Sequence, residues 1–496
     1  MMNHTLCTLL AAATVCTAQT QHSLSTYLDT AFGWLPASMP EDVVPGSLRR
    51  ALPAEHQQTR RYPGVPTSLL LLEQSKRHAA STSSATTRRN WEFFPASPQR
   101  FMPYLDSLFV PGNTCAEPCA FIDSDPISTS AQRVKTMLSG IGLQYSAVAS
   151  YNYAHIAPAP GNRQRHFSAF NLQASGKWFL AKSRNNSQGI FLSFEADWGI
   201  GADFSERNGG VQNSLGTLSQ PQSSLRGGNG VFLPELALGY STLNGKWVGM
   251  VGTLDASNYL DQNAYAASWH GNLTNSAFGS NPCLPLEWGN WGYLTAWQPT
   301  DNFYAMYATT GCNGQINQNP FRNINSNHWV HVGELGFIFD DSWGMGPGTY
   351  RLQYALTRND GATGDGIACN IQQQLGRNSR LGFFARCGYM DSDAASVTGV
   401  RSTVATGLVL QAPFTSSGWG SRHNNDQIGL GFLWLRAGGS ERPYTHQDEY
   451  GLELSAVVQL TPTFYLQPDV QYIFNPIHAD SRDNALVFQL QGVFSF

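Results

Sequence analysis

Eight charged residues fall at strand-like positions whose immediate neighbours are apolar: Glu195, Asp197, Glu235, Glu334, Arg351, Arg386, Glu453 and Asp469. Carboxylates and guanidiniums facing one another across a narrow wet space would order water and offer paired acceptors and donors. A hydroxyl-rich solute can bond to both kinds of group, and each arginine presents its donors in a fixed fork. The plainer role for any one of the eight is to fill a wet interior. Covalent chemistry is poorly served. Ser268 and His270, in Ser-Trp-His, have the types of a hydrolase pair but no convincing third residue to orient the base. Gly227-Gly228-Asn229-Gly230 lacks the helix start and the Lys-Ser/Thr of a phosphate cradle. Asp360-Gly361 and Asp365-Gly366 lack the spaced acidic ligands and closing Glu of a calcium loop and read as turns. No catalytic residue, metal site or cofactor is expected.

The element that positions such residues is an alternating strand. In the last stretch Leu486, Phe488, Leu490, Phe494 and Phe496 share one parity, with Gln489, Gln491 and Ser495 on the other. Ile190, Leu192, Phe194, Ala196, Trp198 and Ile200 oppose Ser193, Glu195 and Asp197. Tyr350, Leu352, Tyr354 and Leu356 oppose Arg351, Gln353 and Thr357, and Tyr450, Leu452 and Leu454 oppose Glu453 and Ser455. A charge on a lipid-facing position costs about 2–4 kcal/mol at the midplane, so the consistent parity of the charges is informative.

Composition agrees. Charged residues make up 13% of the 496, aromatics 12%, and glycine is abundant at 48. The mean hydropathy is −0.26, and no apolar run of about 18 residues is present for a membrane helix. Low charge, many aromatics and no long apolar run suit a membrane β-barrel, whose alternating strands average out in hydropathy. A net charge of −4 with no basic cluster argues against a nucleic-acid partner.

Residues 1–18 read as a secretory signal: Leu6 to Val15 is apolar, and Cys16-Thr17-Ala18 offers small residues for cleavage, although no Lys or Arg precedes the apolar run. Residues 19–129 form a low-complexity, irregular periplasmic extension rich in Pro, Ser, Thr and Arg. A short helix spans 130–141, and the barrel domain occupies 142–496. The expected fold is all-β: an antiparallel outer-membrane barrel of about sixteen strands. The strands are placed at 142–154, 167–182, 188–204, 231–242, 245–254, 291–298, 301–310, 329–340, 348–359, 367–376, 381–390, 401–412, 426–436, 448–460, 463–474 and 484–496. With Phe496 on the periplasmic side, the turns near Asn185-Asn186, Leu243-Asn244-Gly245, Pro299-Thr300, Asn378-Ser379 and Thr461-Pro462 are periplasmic and short. Connections at 205–230, 255–290, 311–328 and 437–447 are external and long, as such barrels require; 413–425 breaks the rule. The 255–290 segment is equally suited to folding inward and narrowing a pore.

Without Cys7 and Cys16, six cysteines remain, an even number suited to disulfides in an exported chain. A hairpin centred on Asn378 sets Cys369 opposite Cys387. Cys283 and Cys312 similarly flank the turn near Pro299-Thr300. Cys115 and Cys119 form a CxxxC with no nearby His pair, so a disulfide is favoured over a metal site.

The stretch Gln467-Pro468-Asp469-Val470-Gln471-Tyr472-Ile473-Phe474-Asn475-Pro476, followed by Asn484-Ala485 and Phe496, resembles the C-terminal signature of the carbohydrate-selective porin family (OprB-like). Gly252-Thr253-Leu254-Asp255-Ala256-Ser257-Asn258-Tyr259-Leu260-Asp261-Gln262-Asn263 and Ser421-Arg422-His423-Asn424-Asn425-Asp426-Gln427-Ile428-Gly429-Leu430-Gly431 are similar to that family too. The resemblance covers about residues 142–496 and implies a sixteen-stranded outer-membrane barrel that passes sugars passively. The long N-terminal extension and the six cysteines depart from the family, and no sugar-contacting motif carries over. The implied partners are small neutral solutes, sugars above all, and outer-membrane lipid, with the chain a homotrimer or a monomer. Two other readings stand beside it: a non-selective porin, and a barrel serving as a structural or adhesive surface module. A lipid hydrolase is the remaining class.

Overall fold

The computed structural model describes residues 91–95, 125–157, 165–185, 187–200, 210–222, 230–266, 271, 273–286, 289–312, 327–377, 379–413, 426–438, 446–477 and 483–495. The expected signal segment, Cys115, Cys119, Ser268, His270, 421–425 and Phe496 lie outside them.

A short strand, β1 (Trp91–Phe93), precedes a helix, α1 (Pro126–Ser139). The wall then begins with β2 (Leu143–Ala157), β3 (His166–Ser183), β4 (Gly189–Ile200) and β5 (Gly230–Thr242). It continues through β6 (Trp247–Leu254), β7 (Asn290–Thr300), β8 (Phe303–Gly311) and β9 (His328–Phe339). The second half holds β10 (Gly348–Asn359), β11 (Ala362–Gln374), β12 (Leu381–Met390) and β13 (Val400–Gln411). It ends with β14 (Gln427–Ala437), β15 (Asp448–Gln459), β16 (Phe464–Phe474) and β17 (Asn484–Ser495). Each wall strand pairs antiparallel with its neighbours in sequence, and β17 pairs with β2, from Leu486↔Ala157 to Ser495↔Val148. Closure leaves no exposed edge, the condition for a sheet to cross lipid.

The sixteen strands match the expected ones within a few residues, with one informative exception. Asp360 (φ 49°) and Gly361 (φ 90°) form a two-residue hairpin turn closed by Asn359↔Ala362, as expected for a turn that needs positive φ at both centres. That turn starts β11 at Ala362 rather than 367. Asp365-Gly366 is therefore strand, not turn, and exposed Asp365 accepts a bond from the Tyr354 hydroxyl at 3.0 Å.

Parity divides the wall as expected. Leu352, Tyr354, Leu452, Leu454, Phe488 and Leu490 are exposed, while Arg351, Gln353, Glu453, Gln489 and Gln491 are buried. The outside is apolar and the lumen polar.

The helix begins earlier than expected. Asp125 caps it, accepting from the Ser128 N–H at 2.5 Å, with Pro126 in the first turn. The same carboxylate accepts from the Thr463 N–H (3.2 Å) and hydroxyl (2.9 Å), tying α1 to the β15–β16 turn. Burial alone would raise the Asp125 carboxyl, but the bonds from Ser128, Thr461 and Thr463 hold it below the usual carboxylate range. The stabilisation is thus present above the unfolded-state value near 3.8 and is lost as pH falls through the lower folded value. Asp125→Ala is expected to cost about 1 kcal/mol through loss of the cap, read as faster proteolysis at α1 while the barrel persists. Unchanged proteolysis would count against the tie. The expected extension also contributes β1, which pairs with the end of β3 (Trp91↔Ser183) where β2 has already stopped.

Cys369 and Cys387 stand opposite each other in the β11–β12 ladder and form a disulfide, as the hairpin symmetry implied. Both lie on the lipid-facing parity. Cys283 and Cys312 are buried and not joined to each other, which corrects the second expected pair. Cys312 donates to the Arg358 carbonyl at 3.4 Å. Cys283 precedes β7 altogether, in a segment that crosses the lumen, so the turn at Pro299-Thr300 cannot set the two opposite. A link across an 18-residue separation contributes about 3 kcal/mol in the chain-entropy account. Cys369→Ser with Cys387→Ser should lower the temperature of barrel unfolding without changing channel conductance, because the pair faces lipid. A changed conductance would contradict that placement.

Candidate functional site

Two connections at the end opposite Ser495 turn into the lumen instead of standing outside it. The β6–β7 connection, described over 255–266 and 273–286, was equally expected to fold in or stay out. The β4–β5 connection, expected to be external, is found inside over its described part, 210–222, which includes α2 (Gly210–Leu215). Expectation failed there because the partners that hold it lie more than two hundred residues away in sequence.

The first inner segment pivots on Asp261, whose φ of 59° is a left-handed conformation that Asp tolerates better than most residues. Its N–H donates to Glu334 at 2.8 Å. Its carboxylate accepts from Arg386 Nε (2.9 Å), the Asn281 N–H (2.6 Å), Asn370 Nδ2 (2.7 Å) and Gln353 Nε2 (3.2 Å). Arg386 is completely buried. Its remaining N–H groups reach the carbonyls of Asp261 (2.7 Å), Gly279 (3.1 Å), Ala266 (3.3 Å) and Phe278. Glu334 also accepts from Tyr304 (2.8 Å) and Gln353 (2.8 Å). One wall arginine and one wall glutamate thus hold a loop through its backbone as well as its side chains, satisfying groups that burial would otherwise penalise.

Apolar seats complete the attachment. Tyr265 lies over Gly382 on β12, and Phe278 over Gly431 on β14, where an added methyl carbon would come within 2.6 Å of the ring. Only a residue without a side chain at these inward positions leaves room for the two aromatics.

On β15, Glu453 accepts from the backbone N–H groups of Thr274 and Asn275 (3.1 Å for the latter). One helical-turn distance in sequence away but on the same strand face, Glu449 accepts from the N–H groups of Leu218 (2.7 Å) and Ser219 (2.9 Å). The two inner segments meet here: the Ser276 N–H donates to the Gln220 carbonyl (3.0 Å), and Thr274 Oγ1 to the Pro221 carbonyl (3.2 Å). Gln471 and Gln489 donate to that same Pro221 carbonyl at 2.7 and 2.8 Å, and to Asp469 at 3.0 and 3.1 Å.

Across the barrel, Glu195 and Glu235 stand opposite each other on β4 and β5. Glu195 accepts from Gln173 (2.7 Å) and Asn258 (2.6 Å), and Glu235 from Tyr259 (2.6 Å) and Ser193. Separate donors for each carboxylate are what allow two acids to face one another. Asp197 is buried further along β4. Arg351 donates to Tyr304 (3.0 Å) and to Gln372 (3.2 Å), the latter half-buried.

All eight charged residues singled out from sequence therefore point inward. Glu334, Arg386 and Glu453 meet the inner segments directly, and Glu195 and Glu235 meet 256–259. Asp261 and Glu449 were missed. Glu449 shares the parity of Glu453, so that signal was available; Asp261 lies in no strand, and parity says nothing about it.

A closed sixteen-strand antiparallel wall, apolar outside and polar inside, with connections folded into its lumen, defines a membrane-spanning β-barrel of porin architecture. The profile of the carbohydrate-selective porin, OprB family matches residues 357–496, and over that stretch the chain carries the family's pattern, as the C-terminal resemblance implied. Among solved structures, Pseudomonas putida OprB at high pH is similar with a TM-score of 0.57 and 16% identity, covering 77% of this chain and 99% of that one. That likeness establishes the fold. The low-pH form of the same protein gives a TM-score of 0.44 at 15% identity, covering 74% and 96%. A mutant Rh. blastica porin gives 0.45 at 9%, covering 71% and 100%. No curated protein matches the chain.

Proposed function

We propose that the chain is an outer-membrane porin through which small neutral carbohydrates diffuse passively. The observation that carries this is the lumen: a wall of amides, hydroxyls and individually partnered charges, narrowed by two inner segments, in a barrel with the OprB pattern over its C-terminal part. Sugars need donors and acceptors side by side, which Gln, Asn and Ser supply without net charge. Binding must stay weak, because a site that holds its solute tightly cannot release it. Five of the eight charged residues then act in two ways. Arg386, Glu334 and Glu453 fix the narrowing, while Arg351 through Gln372, and Glu195 through Gln173, reach side chains that remain half-exposed.

The test is a planar bilayer holding the purified protein in salt. Adding a mono- or disaccharide should reversibly lower the ion current, and Arg351→Ala should weaken that block. A current unaffected by sugar at concentrations where the solution viscosity is matched would leave a non-selective pore and refute the sugar preference.

A further inference from the structure

The inner segments do not cover the wall evenly. On the β5–β9 side Tyr259 and Leu260 pack with Val248, Met250, Leu294, Tyr304 and Val332. On the β12–β14 side Tyr265, Leu273 and Phe278 pack with Phe384, Ala405 and Leu433. Along β15–β17 the polar strip of Glu449, Glu453, Gln471 and Gln489 is taken up by 218–221 and 274–275. Inward positions on β5–β8 and β15–β17 are accordingly buried.

The half of β2 and β3 nearer the Ser495 end differs. Its inward positions are paired in register as Ser146↔Ser175, Val148↔Gln173 and Gln144↔Lys177. Gln144, Ser146, Val148, Gln173 and Ser175 are all half-exposed, whereas Lys177 and, further along the same strands, Ser150, Asn152 and Asn171 are buried; the inward Gln372, Gln411 and Gln427 of β11, β13 and β14 are half-exposed as well. We infer that the solute path runs along the β2–β3 wall, past Gln144, Ser146, Gln173 and Ser175, with Gln372, Gln411 and Gln427 of β11, β13 and β14 on its other side.

The chemistry of that strip suits a polyhydroxylated neutral solute. Two amides and two hydroxyls present donors and acceptors with no charge of their own. Gln173 is held by Glu195, to which its amide donates at 2.7 Å, so its carbonyl oxygen is turned away from the carboxylate and is the atom offered to a donor. This inference rests on the porin reading but not on sugar preference, because salt current follows the same path.

Single cysteines report it directly. Ser146→Cys and Ser175→Cys each exchange one atom and should fold as the parent does, checked by retention of the heat-modifiable gel shift. A charged methanethiosulfonate reagent added during single-channel recording should lower the conductance of both at least about twofold, since a group placed in a narrow path obstructs it. Ala296→Cys and Ala308→Cys, at buried inward positions of the covered β7–β8 wall, should show no change, and the parent protein with its native cysteines serves as control. Block at the β7–β8 cysteines without block at Ser146→Cys and Ser175→Cys would overturn the assignment, as would equal block at all four.

Discussion

Arg386→Met is expected to raise single-channel conductance and reduce discrimination between sugars and charged solutes, with the barrel still assembled. The guanidinium and the Asp261 carboxylate are paired at 2.9 Å with side-chain exposures of 0% and 1%. Removing one partner of a buried pair costs about 3–5 kcal/mol, chiefly because the other charge is left uncompensated. Here the loss does not fall on the wall, whose ladder around Arg386 is made of backbone bonds to Asn370 and Ala405. It falls on the inner segment, which loses in one step its contacts at Asp261, Ala266, Phe278 and Gly279. The segment would leave its seat and the lumen would widen. Conductance equal to the parent's, with sugar discrimination intact, would show that the pair does not hold the narrowing.

Gly382→Val should act in the same direction through sterics alone. A side chain there would overlap the Tyr265 ring. Displacing it forfeits the burial of a large aromatic, about 1.5–3 kcal/mol. Because the conflict is between two specific groups, a double-mutant cycle can identify it: Tyr265→Ala should abolish most of the additional effect of Gly382→Val on conductance. Additive effects would mean that Gly382 matters for some other reason, such as the twist of β12.

These two predictions concern what sequence reading could not reach. The wall was legible because a barrel strand repeats a local rule. Parity in Tyr350–Leu356 or Leu486–Phe494 reports which face each residue takes, and the hairpin about Asn378 put Cys369 opposite Cys387. The same symmetry misled at Cys283 and Cys312, since it holds only while both residues stay in the ladder, and Cys283 lies before β7 begins. The inner segments follow no period. Their position is set by contacts such as Arg386 to Asp261 and Glu449 to Leu218, between residues far apart in the chain. The eight inward charges were visible, yet their partners were not, so a polar lumen could be read but not the way its charges are spent on holding the narrowing in place. Glu449 marks the boundary: its parity placed it inward, and nothing local distinguished an anchor from a wetted side chain.

The central claim is selective passage of sugar, and liposome swelling measures it most directly. Proteoliposomes would be placed in isotonic glucose, a disaccharide, and amino acids of similar size. Faster swelling in the sugars than in the amino acids, with the difference reduced by Arg351→Ala or Glu453→Ala, is the predicted result. Equal swelling rates for sugars and amino acids of matched size would contradict it.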